Sequence, residues 1–364
     1  MGLDELHGEL QAVARDLLKA PAPDWSLLAS SGWTGLEVPG ELDGAGATFA
    51  ETALILREMG RAATRAPYLG AALGVAALLA AAPGTRRDDL LRRAASGREV
   101  PVAVLGDWMT SAADWARAEE PVSKTGHGTF CMEGRRISGR AEFVPDAAEA
   151  SRLLIFARAP GRCGWPVIAE VTPGAPGLSV EPQPVVDETR RLAVVTADEV
   201  EVPSASAWGF SGDNQQEAAE GLFDRAVVAI ACDSLGLMGA MLDATVSYVK
   251  VRHQFGKPVG SFQAVQHACA DMLVQVSVCR ELVDAAVSAV AGSAPDAWVA
   301  ASMAKSHVTA AAVDVAGKAM QLHGGIGYTW ESGIHAYLKR ATLNRALFGS
   351  PAQHRRRLAT RYCP

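Results

Sequence analysis

Two short stretches hold the residues whose types and spacing could do chemistry. Val251 to Gln263 reads Val-Arg-His-Gln-Phe-Gly-Lys-Pro-Val-Gly-Ser-Phe-Gln, and a second stretch from Gln321 reads Gln-Leu-His-Gly-Gly-Ile-Gly-Tyr. Between them they offer a guanidinium, amides, an aromatic ring and backbone that no side chain screens. Taken singly, each has a plainer reading: Arg252 as a cation at a helix end, Gly324-Gly325 as a helix stop. His323 and His335 have no Cys or Ser at a spacing that suggests a triad, so they read as core or cap histidines. The six cysteines, Cys131, Cys163, Cys232, Cys269, Cys279 and Cys363, show no paired metal-ligand spacing and read as buried reduced thiols, with no metal site expected.

The elements that must position these residues follow from periodicity. Leu3, Leu6, Leu10, Val13 and Leu17 recur at three- and four-residue steps, the spacing of one helical face. A Gly- and Pro-rich loop from Gly32 to Gly46 follows, and Thr48 with Glu51 has the spacing of a capping box that opens a second helix. Between 101 and 202 the texture changes to short β-branched runs, Leu153 to Ala157, Val167 to Val171 and Leu192 to Thr196 among them. After a turn at Gly209 to Asn214, Ala-rich helices are expected near 215–250, 262–292, 295–322 and 332–359, antiparallel because their connections are short. The order is helices, strands, helices, with units expected at 1–100, 101–212 and 213–364.

Composition narrows the partners. A net charge of −6 gives no electrostatic footprint for a polyanion, so nucleic acid is not expected. The longest apolar run, Leu69 to Ala82, is shorter than the roughly 20 residues that cross a bilayer and reads as a buried helix. The first residues lack the basic start and apolar core of a signal peptide, so a cytoplasmic location is expected. Trp108, Trp115 and Trp165 read as core, and the basic tail, Arg355-Arg356-Arg357 with Arg361, as a solvated face or subunit contact.

Together, in this order and on helical segments, the two stretches resemble the carboxy-terminal domain of the acyl-CoA dehydrogenase family. Softer matches at Gly32-Trp33, Val38-Pro39, Gly44 and Glu58-Met59-Gly60-Arg61 extend the resemblance along the chain. The fold it implies is α+β and multi-domain: an N-terminal helical domain, a β-barrel-like middle and a C-terminal four-helix bundle. In that family FAD lies between subunits. By position, Arg252, Gln254 and Phe255 match an Arg-x-x-Phe-Gly segment whose Arg contacts the pyrophosphate of a neighbour's cofactor. Gln263 corresponds to a glutamine facing the same cofactor, and Gln321, Gly324 and Gly325 match the opposing wall. The resemblance therefore implies an oligomer, either of this chain or with a homologous subunit.

The catalytic parts of the family pattern are missing. Its usual glutamate position falls on Phe348, and no Asp or Glu follows Glu331, itself read as a helix-start residue. A second base position used by some members falls on Ala226, counted from Phe223-Asp224, and the arginine beside it is replaced by Val227. Asp224 is the nearest carboxylate and a weak candidate for a displaced base; the plainer reading is a helix-start or substrate-loop residue. The segment along flavin and substrate is absent, with Gly106-Asp107-Trp108-Met109-Thr110-Ser111 roughly in its place. After Gly139 the flavin-facing run reads Phe143-Val144-Pro145, and Pro145 has neither amide hydrogen nor hydroxyl to donate.

These losses fall on one functional surface. The expected function is participation in FAD-dependent α,β-desaturation of an acyl thioester, carried by CoA or a carrier protein, as the base-lacking subunit of a heteromer sharing its cofactor. The alternatives are a self-sufficient homomeric flavoenzyme with a displaced base, and a non-redox scaffold on the same fold.

Overall fold

The computed structural model describes residues 3–19, 23–106, 130–159, 166–212 and 214–362. Five helices come first: α1 (Leu3–Leu17), α2 (Trp25–Ser30), α3 (Phe49–Ala62), α4 (Leu69–Ala80) and α5 (Thr85–Ala95). Thr48 and Glu51 close the expected capping box at the start of α3. The buried face of α1 is rotated from the one expected: Ala14 and Leu18 are buried, whereas Leu6 and Val13 are 41% and 54% exposed. Polar anchors set that rotation. Gln11 and Arg15 reach Glu58 at 2.5 and 2.8 Å, and His7 meets Glu51 at 2.8 Å, both carboxylates being buried on α3.

Eight strands of one mixed sheet follow among the described residues, from β1 (Pro101–Val104) and β2 (Phe130–Glu133) to β8 (Ala207–Gly209). Its central strand, β4 (Arg152–Arg158), pairs in parallel with both β1 and β2 and antiparallel with β5 (Pro166–Val171). Because β4 is covered on both faces, its side chains divide by period two: Leu153 and Ile155 join the sheet's own core, and Leu154 and Phe156 the helical core. Strand β3 (Arg136–Pro145) pairs with β7 (Leu192–Glu201), and its register slips between Ala141 and Val144.

The third part is a bundle of α6 (Gln215–Val251), α7 (Gln263–Ala291) and α8 (Ala297–His323). By length and composition α6 could cross a membrane, but 78% of its apolar window is buried inside the protein, so it is the core helix of the bundle. It crosses α3 at Gly60 and Gly236, where a Cβ would lie 1.9 Å from the Asp233 carbonyl oxygen and 1.8 Å from that of Arg57. Only glycine permits that approach.

The single helix expected over 332–359 is two, α9 (Ile334–Ala346) and α10 (Pro351–Tyr362). Phe348 and Gly349 adopt φ of 54° and 93°, which ends α9. Ser350 and Gln353 then form a capping box, with Ser350 N–H donating to Gln353 Oε1 at 2.7 Å, and Pro351 takes the first helical position.

Candidate functional site

One end of the bundle gathers every residue proposed for the cofactor. Helix α6 ends at Arg252, and the chain makes a two-stranded hairpin of His253–Gln254 and Lys257–Pro258 before Gln263 opens α7. The turn residues Phe255 and Gly256 both have positive φ, 54° and 78°, as the tight hairpin demands. A phenylalanine there costs roughly 1–2 kcal/mol, and this one is 91% exposed. At the end of α8, Gln321, Gly324 and Gly325 are also exposed. His323 joins the two segments: its ring stacks on Tyr248 of α6 at 4.5 Å while Nδ1 donates to the Ala319 carbonyl at 2.7 Å. The end of α8 that carries the glycine turn is therefore held against the last turn of α6, which leads into the hairpin, on the same protomer.

This end can hold a phosphate-bearing ligand. Arg252 is exposed and has no acidic partner among the described residues, so its guanidinium is open to an anion. A Cβ built on Gly324 or Gly325 meets nothing within 4 Å, which leaves their backbone clear for close approach. Phe255 adds an exposed apolar ring, edge-on to Phe262 at 6.2 Å. Donors, clearance and a ring are what the tail of FAD requires.

A second feature lies where sheet and bundle meet. A cavity of about 380 Å³ is walled by Leu105 and Gly106, by Glu142 to Pro145 at the end of β3, by Phe223 of α6, and by Leu343 and Ala346 to Gly349. It brings together Phe348, Pro145, Phe143 and Phe223, the positions where the family pattern breaks. Gly106 lies on this wall, whereas Asp107 to Ser111, Trp115, Trp165, Cys163 and Cys363 lie outside the described residues. The walls do not suit a flavin ring. Pro145 has no N–H, and the Phe143 N–H is taken by Gln183 Oε1 at 2.7 Å.

Buried polar groups hold the Phe348 turn in place. Neutral His354 donates from Nε2 to the Phe348 carbonyl at 2.9 Å, and burial keeps its pKa near 4. Lys305, fully buried, donates to the Asn344 carbonyl at 2.6 Å and so caps the C-terminus of α9. Burial pulls its pKa down to about 7.

The expected substitutes for a base fare differently. Ala226 and Val227 are 0% exposed in the core of α6 and do not line the cavity. Asp224 is neither at a helix start nor at the cavity: it sits in the third turn of α6 and its Oδ1 accepts from Arg357 Nη1 at 2.5 Å. Burial pushes its pKa up and Arg357 pulls against it. Arg357 thus leaves the solvated face expected for the basic tail and packs inward over Trp298 and Phe223; Arg355 and Arg356 stay exposed. Glu331 lies exposed in a 3₁₀ turn, and His335 is half-buried against Trp330.

One carboxylate went unmarked in the sequence. Glu142 lines the cavity and pairs with Arg140, and the slip in register between Ala141 and Val144, with Phe143 at φ 55°, sets its aim. A strand's alternation alone gives no sign of such a bulge.

Residues 5–98 match the profile of the acyl-CoA dehydrogenase N-terminal domain and residues 217–363 that of its C-terminal domain. Acyl-CoA dehydrogenase IpdE2 of Mycobacterium tuberculosis is 32% identical over 336 residues, covering 92% of this chain and 85% of that protein. A variant of the steroid ACAD Tcur3481-Tcur3483 superposes with a TM-score of 0.83 at 28% identity, covering 99% of this chain and 98% of its own. The ChsE4-ChsE5 complex from Mycobacterium tuberculosis gives 0.81 at 21% identity over 99% of this chain and 96% of its own, a likeness of fold alone. Profile, relative and fold agree that the chain belongs to the acyl-CoA dehydrogenase family.

Proposed function

We propose that this chain takes part in FAD-dependent α,β-desaturation of an acyl thioester as the base-lacking member of a heteromeric pair. The observation that carries the reading is the contrast within one protomer between an open nucleotide-tail surface and a cavity that has Phe348 at the family's base position, its one carboxylate, Glu142, paired with Arg140, and no free donor at Phe143 or Pro145. Arg252 would hold the pyrophosphate through charge-assisted hydrogen bonds, Phe255 would wall the adenine, and the bare backbone at Gly324 and Gly325 would let phosphate approach. Gln254, Gln263 and Gln321 would orient the same tail through their amides. FAD, when bound, supplies the hydride acceptor for Cβ. The Cα proton of a thioester is weakly acidic and needs a positioned carboxylate, which a homologous partner would provide. Among the neighbours, ChsE4-ChsE5 is a complex of two different chains.

A displaced base at Asp224 finds no support in the geometry, because its carboxylate is engaged by Arg357 away from the cavity. Co-expression with a homologous family member tests the reading. The expected outcome is a co-purifying pair that absorbs in the flavin range and bleaches with acyl-CoA, steroid acyl thioesters among those tried. Loss of bleaching when the partner's base is removed, with this chain intact, would complete the case. A partner that neither associates nor changes flavin content would refute it.

A further inference from the structure

The junction of α4, the end of β3 and α9 carries a charge imbalance that neither end of the bundle uses. Helix α4 lies directly on the sheet: a Cβ on Gly70 would meet the Pro145 carbonyl oxygen at 2.5 Å, and one on Gly74 that of Pro101 at 2.0 Å. Tyr68, the residue before the helix, gives it no side-chain cap, and the Asp146 carboxyl reaches across from the end of β3 to accept the Gly70 N–H at 2.8 Å. Asp146 has φ 60°, a conformation that Asp and Asn tolerate better than other side chains. It directly follows Pro145, which stands on the wall of the cavity at Phe348.

Around this contact the charged side chains of Asp146, Asp187, Asp233, Arg190 and Arg340 lie almost wholly out of solvent. Ionised throughout, they would set three carboxylates against two guanidiniums. The rim is balanced in itself: Arg191 pairs with Glu149, and Arg65, bonded to the Glu188 carbonyl, is offset by Asp24 at the start of α2. Asp233 is held by Arg340 and Arg190 at 2.6 and 3.0 Å, and Asp187 lies in the field of both. Asp146 forms no ion pair among the described residues, so the balancing proton falls to it, and burial raises its pKa to about 7. Thr64 Oγ1, Asp187 Oδ2 and Arg190 Nε are buried in the same cluster without a hydrogen-bond partner. A cavity of about 190 Å³, walled in part by Thr64, Asp146, Arg190 and Arg340, adjoins it. The closed junction is thus under-bonded, with room beside it for water.

We propose that this junction is a proton-operated latch: with Asp146 neutral it holds α4 to the end of β3, and loss of that proton loosens the first turn of α4 together with the wall at Phe143 to Pro145. Ionisation leaves the buried cluster with one negative charge in excess, which hydration through the adjoining cavity relieves only when the junction opens. The pKa of the closed form lies above the ordinary 3.8, so between the two values the closed form binds more protons than the open one, and the latch weakens as pH rises toward 7. The latch requires neither flavin nor a partner subunit.

Amide hydrogen exchange of the full-length chain, followed by mass spectrometry from about pH 5 to about pH 8 and corrected for the intrinsic exchange rate, tests the latch. Protection over 69–74 and 143–147 should fall by roughly tenfold per unit between about pH 5 and 7, the change that one linked proton gives, and level off above. Asp146→Asn is neutral at every pH, tolerates the same φ and can still accept from Gly70, so its protection over these segments should not change with pH. Protection in the wild-type chain that ignores pH, a fall spread evenly over the whole chain, or the same fall in Asp146→Asn would each overturn the latch. The first two outcomes are read from the wild-type chain alone, so a variant that failed to fold would leave the latch open to refutation.

Discussion

The two ends of the C-terminal region are built from the same helices yet differ in kind. At the hairpin end, Arg252, Phe255, Gly324 and Gly325 are exposed and make few commitments within the chain. At the Phe348 end, the turn is bound by His354, Lys305 and the Ser350–Gln353 cap, and its side chain faces the cavity. Exposure without an internal partner suits a surface completed by something else; internal support suits a space that must keep its shape. The difference teaches that the two ends draw on different residues, so one can be rebuilt while the other is kept.

Several substitutions would break or sharpen that contrast. The largest effect is expected from Arg252→Ala, which should weaken flavin retention in the assembled pair by about 10- to 100-fold, the worth of charge-assisted hydrogen bonds. Its melting temperature should stay within a degree or so, since Arg252 is exposed and unpaired among the described residues; a matching fall in stability would blur the two ends. Gly325→Val should fold normally, having nothing within 4 Å of its Cβ, and lose roughly tenfold in flavin by crowding the approach. Phe348→Glu places a second carboxylate at the cavity, beside Glu142, at a cost of about 1–3 kcal/mol, read as a lowered denaturant midpoint. It should confer no desaturation on the isolated chain, because Pro145 and Phe143 still withhold their donors.

A last expectation concerns the pH dependence set by Lys305. Its folded pKa, about 7, lies below the ordinary 10.5, so between those values the unfolded chain binds more protons and stability rises with pH. Lys305→Met should flatten that rise between pH 7 and 10, as measured by urea unfolding at several pH values. An unchanged slope would mean that the support beneath the Phe348 turn is not the protonation-linked group described.

Much of this was legible in the sequence, and the gaps have physical causes. The capping box at Thr48 and Glu51 is a local signal and appears as read. The break at Phe348 also had local signals, Gly349, Ser350 and Pro351, but apolar periodicity runs on through them and hides the stop. Asp224 was harder. Its partner Arg357 lies 133 residues away, and nothing short of tertiary packing tells that the carboxylate is engaged. The aim of Glu142 depends on a bulge whose register is set by pairing with a distant strand. The stretch from Val251 to Gln263 was marked by its resemblance alone; the hairpin it forms falls in the connection expected between the helices near 215–250 and 262–292.

The central claim is that this polypeptide grips a nucleotide tail but cannot run the chemistry alone. Flavin content and acyl-CoA-dependent bleaching of the isolated chain, set beside those of the chain assembled with a base-bearing homologue, test it most directly. The account predicts little flavin and no bleaching for the chain alone, and both for the pair. A stoichiometric flavin on the isolated chain that bleaches with an acyl thioester would contradict it.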